Sequence, residues 1–268
     1  MKESDRKFTS LISPYDVRDY KIAGMSASEL PTEFSLDNVT VKNQGATNSC
    51  VAHACSSIVE YHNKKQEGDD TVFSTEFIYG YRPFGYYVGE GMHIRDALQT
   101  LKKCGDVPLD LMRGNNEYES AMANVNANFD SIKDEAYPHR ISSYMKLKGE
   151  ADIKTALVKY GYVIVSMPWH IDASLKNGVY YHKSAKRRGY HAVVIYGWDE
   201  RGWLVQNSWG KNWGQDGRFV VPFDFKWQEA WSVTDNVVDG VDVIKPSDKN
   251  IFIRLFYRII NFFANLFK

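Results

Sequence analysis

A thiol, two side-chain amides and an imidazole are the groups in this chain whose types and spacing can do chemistry. Cys50 closes the run Val41-Lys42-Asn43-Gln44-Gly45-Ala46-Thr47-Asn48-Ser49-Cys50 and opens an apolar, helix-forming stretch. The first N–H groups of a helix lack internal partners and the dipole is positive there, so this placement favours the thiolate over the thiol. Gln44, six residues upstream on a loop containing Gly45, can fold back toward the same helix end and donate to a developing oxyanion. A nucleophilic cysteine also needs a base, and the base needs a group to fix its ring. Seven histidines compete for that role. His53, His62 and His182 sit in helix or loop settings, where a packed or solvated imidazole is the plain reading. His191 instead opens a strand after Gly189-Tyr190, and Asn207 ends the strand that returns across a hairpin at residues 199 to 202. An amide there can brace the imidazole. Trp209, two residues further on, can cover that contact from water and so strengthen it.

The elements that must position these groups follow from the apolar pattern. Val51, Ala54, Cys55, Ile58, Val59 and His62 keep helical spacing from Cys50 until Gly68 and the Asp69-Asp70 pair end the helix. Helices are expected from Ser74 to about Tyr81, from Ile94 to Lys103 ahead of Gly105, and from Glu150 to Tyr160 ahead of Gly161. Residues 114 to 149 are mostly polar and are expected to form surface loops with a short helix. Beyond Val163-Ile164-Val165 the pattern changes to strands: a turn at Asn177-Gly178, strands at His191 to Trp198 and Trp203 to Asn207, and another at Gly217 to Val221. Helices first and strands afterwards describe an α+β protein, and the cleft between two such lobes is a natural place for a site.

Composition narrows the function classes. The chain has 268 residues, enough for one large domain or two lobes, and 33 basic residues balance 33 acidic ones. Nothing in that balance argues for nucleic acid or another strongly charged partner. Three cysteines without regular spacing, Cys50, Cys55 and Cys104, form neither a disulfide framework nor a zinc motif, and no metal or cofactor is expected. A reducing, cytoplasmic setting is expected on the same ground. No apolar stretch follows the polar opening residues, so no secretory signal is expected.

Three runs then carry a family resemblance: Gln44-Gly45-Ala46-Thr47-Asn48-Ser49-Cys50, Gly189-Tyr190-His191-Ala192-Val193, and Gln206-Asn207-Ser208-Trp209-Gly210-Lys211-Asn212-Trp213-Gly214. They resemble the signature blocks of papain-like cysteine peptidases, and Leu30-Pro31 through Asp37 resembles the start of that family's mature domain. The resemblance implies a two-lobed α+β fold, with a helical N-terminal lobe and a β-barrel-like C-terminal lobe. It implies endopeptidase chemistry on a peptide or protein substrate. Cys50 would be the nucleophile, His191 the general acid/base, Asn207 its orienting partner, and Gln44 with the Cys50 N–H the oxyanion hole. Trp209 would shield the His191–Asn207 pair. Gly91 and Met92 would pair with substrate main chain, and Ile94, Ser166 and Gly189 would line a side-chain pocket. A silent peptide-binding module, or acyl transfer and amidase chemistry on the same triad, are the alternatives. Thr47 stands where the family usually has a cysteine, which removes a disulfide beside the site, while Asn48 and Val51 replace the usual glycine and aromatic.

The resemblance divides the chain into an N-terminal arm at 1–29, a peptidase domain at 30–244 and a C-terminal part at 245–268. The arm, with Pro14 as a breaker, is expected to be extended and to pack beside the cleft. The basic loop from His182 to Arg188 reads either as a solvated tip or as a preference for acidic residues near the cut. After the linker 245–249, residues 250–268 form an amphipathic pattern with a basic polar face. It fits a helix lying in a membrane interface equally with one docked on the catalytic domain or on a second copy.

Overall fold

The structure, a computed structural model, describes residues 5–16, 19 and 29–235. The linker and amphipathic helix expected at 245–268 therefore lie outside the described residues, as does much of the 1–29 arm. Among the described residues no helix is long and apolar enough to cross a membrane, and no group of three or more His, Cys, Asp or Glu side chains could hold a metal ion.

Helix α1, Cys50–Glu67, is the axis of the helical lobe. Every residue from Cys50 to Asn63 is buried, as befits a helix enclosed on all sides rather than laid on a surface. It stops at Gly68, whose φ of 73° lets its N–H close on the Lys64 carbonyl. Around it pack α2 (Thr75–Gly80), capped by the Ser74 hydroxyl, and α3 (Ile94–Lys103). Val51, Ala54, Cys55 and Ile58 from α1 join Ala97, Leu98 and Leu101 from α3 in one apolar core.

The polar stretch 114–149 differs from its expected loops. It contains the long helix α4, Tyr118–Ala136, and a strand β4, Ser143–Leu147. Only Ala121, Val125, Ile132 and Ala136 of α4 are buried. That narrow stripe is enough to seat the helix against α2: Gly80 lies so close to the Ala121 carbonyl that a Cβ there would be 2.2 Å away.

The second half forms a nine-stranded sheet. Besides β4 it contains β2 (Phe34–Ser35), β5 (Val163–His170), β6 (Ser174–Lys176), β7 (Val179–Tyr181), β8 (Arg187–Asp199), β9 (Gly202–Gln206), β10 (Arg218–Val221) and β11 (Glu229–Thr234). Helix α5, Gly149–Tyr160, packs on it. The strand order is β4-β11-β5-β8-β9-β10-β7-β6, with β2 on β8. No pairing among the described residues joins β4 to β6, so the lobe is an open curved sheet rather than a closed barrel. Asn177 and Gly178, at φ 50° and 79°, make the tight turn between β6 and β7. Buried Trp169, Trp198 and Trp203 fill the core of this lobe, each a side chain whose truncation to alanine costs about 3–5 kcal/mol.

His53, one turn into α1, is 3% exposed. Its Nδ1–H donates to the Ser49 carbonyl at 3.0 Å, beside the Ser49 hydroxyl. Burial pushes its pKa down to about 3, the nearby charges of Lys42 and His191 push the same way, and the Ser49 carbonyl opposes them. With the folded value below the ordinary 6.5, His53 contributes stability that is complete above pH 6.5 and is lost as pH falls from there toward 3. Between those limits His53→Gln should therefore flatten the acid limb of stability against pH by up to about 1.4 kcal/mol per pH unit. Urea midpoints for both proteins between pH 4 and 7 check this, and parallel curves would contradict it.

Candidate active site

Two elements face each other at the cleft, the N-terminus of α1 and the middle of β8. Cys50 is the first residue of α1, with Ser49 as its cap. The backbone N–H groups of Ala192, Thr9, Val51 and Cys50 itself act on its sulfur, each favouring the thiolate. The Ala192 contact places the thiol beside the residue that follows His191. The β8–β9 hairpin pairs Val194 with Gln206, so His191 and Asn207 both lie at the end of the hairpin away from its loop. His191 Nε2–H donates to Asn207 Oδ1 at 2.8 Å, and the Ser208 N–H also donates to that oxygen at 2.8 Å, fixing the amide. His191 Nδ1 is buried and has no hydrogen-bond partner. That is the nitrogen left to act as a base. Trp209 stacks over the imidazole, ring centres 4.8 Å apart, and Trp169 meets it edge-on at 5.8 Å.

Gln44 is tied to the same block. Its N–H donates to the Ser208 carbonyl at 2.8 Å, and its Oε1 accepts from the Ser208 hydroxyl at 2.6 Å. Its Nε2 donates to the Thr47 carbonyl at 2.9 Å. An amide nitrogen carries two N–H groups, so one remains for an oxyanion. The arrangement holds Gln44, Cys50, His191 and Asn207 together with Trp209 around one spot.

The described part of the arm occupies that spot. Strand β1, Ser10–Leu11, pairs in parallel with β3, Met92–His93, and Thr9 bridges to Tyr190 on the opposite wall. Phe8 is edge-on to His191 at 6.0 Å and to Trp209 at 5.9 Å. Arg6 donates to the Gly45 carbonyl at 3.1 Å, and its guanidinium lies over Trp209. The glycines are what allow this approach. A Cβ on Gly91 would be 2.4 Å from the Thr9 carbonyl oxygen, and one on Gly189 would be 2.3 Å from that of Phe8. The arm thus runs through the cleft, not beside it.

Occupation changes the electrostatics expected from the sequence. Cys50 and His191 are both fully buried. Burial raises the Cys50 thiol, and the four N–H groups at its sulfur only partly oppose it. Burial also pushes His191 down to about 4, against the bond to Asn207, with the nearby Arg6 charge adding to the fall. In this conformation loss of water disfavours the thiolate and the imidazolium alike.

Of the remaining site residues, Gly91, Met92 and Gly189 lie against the arm, the Gly91 N–H being taken by the Tyr79 hydroxyl and not by an extended chain. Met92 is the edge paired with Ser10, and Ile94 opens α3 just behind it. Ser166 on β5 is buried opposite Ala192 and Glu229, its hydroxyl without a hydrogen-bond partner. Glu229 was not singled out in the sequence, where a lone glutamate reads as solvated. Its buried Oε1 accepts from the Ser13 N–H at 3.3 Å and the Ser13 hydroxyl at 3.1 Å. The contact residues Phe8 and Thr9 were also missed, although the aromatic and β-branched run Phe8 to Ile12 is a strand signal. His182 and Arg187 of the basic loop line a pocket of about 630 Å³ with His170 and Trp227.

Comparison with known proteins agrees with this geometry. Residues 32–230 match the papain family cysteine protease model. A gut-specific cysteine proteinase of Caenorhabditis elegans is 40% identical over 105 residues, 37% of this chain and 31% of that protein. Mouse cathepsin K is 29% identical over 189 residues, 66% of this chain and 54% of its own length. The chain thus spans about half or less of these two relatives. Among solved structures, xylellain, a cysteine protease from Xylella fastidiosa, superimposes with a TM-score of 0.71 at 21% identity, covering 86% of this chain and 97% of that one. Procathepsin L 3 from the larval midgut of Tenebrio molitor gives 0.67 at 16% identity, covering 86% of this chain and 76% of that one. On the family match over residues 32–230, the chain belongs to the papain family of cysteine proteases.

Proposed function

We propose that the protein is a cysteine endopeptidase whose described conformation is a closed, latent one. The observation that carries this is the imidazole of His191, held by Asn207 under Trp209 with Nδ1 unbonded, one residue before the Ala192 N–H that acts on the thiol at the head of α1. That the arm passes through the cleft from Arg6 to Ser13 supports internal cutting, since a substrate threaded the same way extends on both sides of Cys50.

Once the arm withdraws, water returns and the two pKa values move toward each other. The Cys50 thiol passes its proton to His191 Nδ1, and the thiolate attacks the scissile carbonyl carbon. The oxyanion that forms accepts from the Cys50 backbone N–H and the free N–H of Gln44. The imidazolium, kept in place by Asn207, gives its proton to the leaving amine, and a thioester remains on Cys50. His191 then takes a proton from water, which attacks the thioester, releasing the acid and restoring the thiol. Because every group for this cycle is present, a silent peptide binder is the weaker reading.

The Ser13 contact bears on the substrate. Glu229 loses both Ser13 donors when the arm leaves. Its Oε2 makes no hydrogen bond, and Lys146 Nζ stands 3.8 Å from it. A buried carboxylate short of donors favours a substrate side chain that brings them, so arginine or lysine is expected at this subsite.

Both readings are tested on the full chain carrying Phe8→Ala to loosen the arm. Peptide hydrolysis is expected to vanish with Cys50→Ala and to lose about 10²–10³ in kcat with Gln44→Ala. A peptide basic at the Ser13 subsite is expected to be cut about tenfold better than its leucine counterpart, and Glu229→Gln to erase that preference. Turnover surviving Cys50→Ala would overturn the mechanism, and a preference unchanged in Glu229→Gln would overturn the substrate assignment.

A further inference from the structure

Residues 87 to 91, which lead into the edge strand β3, have no strand or helix partner of their own. Their main chain is held instead by side chains, and its three bonded carbonyls converge on one group. Arg82 Nη1 donates to the carbonyls of Tyr87 at 2.9 Å and Gly89 at 3.3 Å, Nη2 donates to that of Gly91 at 2.9 Å, and Nε donates to that of Tyr79 at 3.0 Å. The guanidinium lies against the rings of Tyr79 and Tyr118, 5.0 and 5.1 Å from their centres, in the corner made by two rings that meet edge-on at 6.5 Å. Those two tyrosines take two N–H groups of the same backbone, and Asp96 Oδ2 accepts from a third, that of Tyr87, at 3.2 Å. The Gly89 N–H donates to the Tyr118 hydroxyl at 2.8 Å, and the Gly91 N–H donates to that of Tyr79 at 3.2 Å. Gly89 and Gly91 have φ of 130° and 82°, a conformation that other residues rarely adopt and that turns alternate carbonyls toward one point. A second tie crosses to the nucleophile's loop, where Asn48 Nδ2 donates to Glu90 Oε2 at 2.8 Å.

We infer that Arg82 is a positioning residue for peptide binding: its fork sets the Gly89–Met92 edge at the distance and angle at which an extended chain pairs with Met92. This rests on the peptidase reading, because the chain that pairs there would be substrate once the arm has left. The three cysteines are free, and Thr47 stands where the resembled family usually has a cysteine, so the cleft edge here is fixed by charge-assisted hydrogen bonds instead of a covalent tie. A lysine cannot replace the arginine. A single ammonium has neither the planar fork to reach carbonyls at 87, 89 and 91 together nor the flat face to lie against two rings at a corner. Arg82 touches none of the reacting groups, so its effect belongs in binding rather than in turnover.

The test compares the full chain carrying Phe8→Ala with the same chain also carrying Arg82→Lys. For an eight-residue fluorogenic peptide the second is expected to show KM raised at least tenfold with kcat within twofold. Alkylation of Cys50 by iodoacetamide, which needs no edge strand, should keep its rate within twofold. An unchanged KM overturns the inference, as does a parallel fall in kcat and in alkylation, which marks general damage to the fold. If the Phe8→Ala parent cuts no peptide, it is the peptidase reading that fails. Arg82 is then judged by the affinity of the same peptide in fluorescence anisotropy, where a tenfold loss supports its role and an equal affinity refutes it.

Discussion

Exclusion of water from one thiol and one imidazole is the constraint on which the rest of this structure turns. A cysteine at a helix N-terminus facing four N–H groups is arranged to ionise, and a histidine bonded to a fixed amide oxygen is arranged to accept its proton. Burial nevertheless works against the charged form of each, and Phe8 packs edge-on against the imidazole. Desolvation acts on each charged form separately and outweighs the local dipoles that favour ionisation. In the proposed enzyme the machinery is assembled and held off by that one cause.

The two lobes contribute differently to this state. Helix α1, enclosed from Cys50 to Asn63, makes the thiol's position rigid, and the β8–β9 hairpin does the same for His191 and Asn207. The opposite edge of the cleft has no such support from regular structure. It is a glycine-containing loop shaped by Arg82, Tyr79 and Tyr118, and it presents Met92 to whatever extended chain is there. Rigid elements hold the reacting groups, while a side-chain scaffold holds the binding edge.

How far the sequence could be read follows the same division. The helix at Cys50, its stop at Gly68 and the turn at Asn177-Gly178 were legible because a cap, a left-handed glycine and a tight turn are local signals. The Gln44, Cys50, His191 and Asn207 set was legible as a resemblance, and the fold brings the four together. Helix α4 was not, since its nineteen residues are mostly polar and only four of them are buried. The state of the thiol was not legible either. The dipole at the head of α1 is a local property, whereas the water lost under Phe8 depends on contacts more than a hundred residues apart in the chain, such as Phe8 with His191. Glu229 escaped notice for that reason as well, as its burial comes from pairing β11 with β5 and from Ser13.

The most direct measurement of whether the arm closes the site is the rate at which iodoacetamide alkylates Cys50, followed by peptide mass spectrometry at pH 7.5, in the full chain and in a chain lacking residues 1–16. Occlusion requires alkylation at least tenfold slower in the full chain, with Cys55 and Cys104 labelled alike in both. Equal Cys50 rates in the two proteins would show that the arm does not shield the thiol.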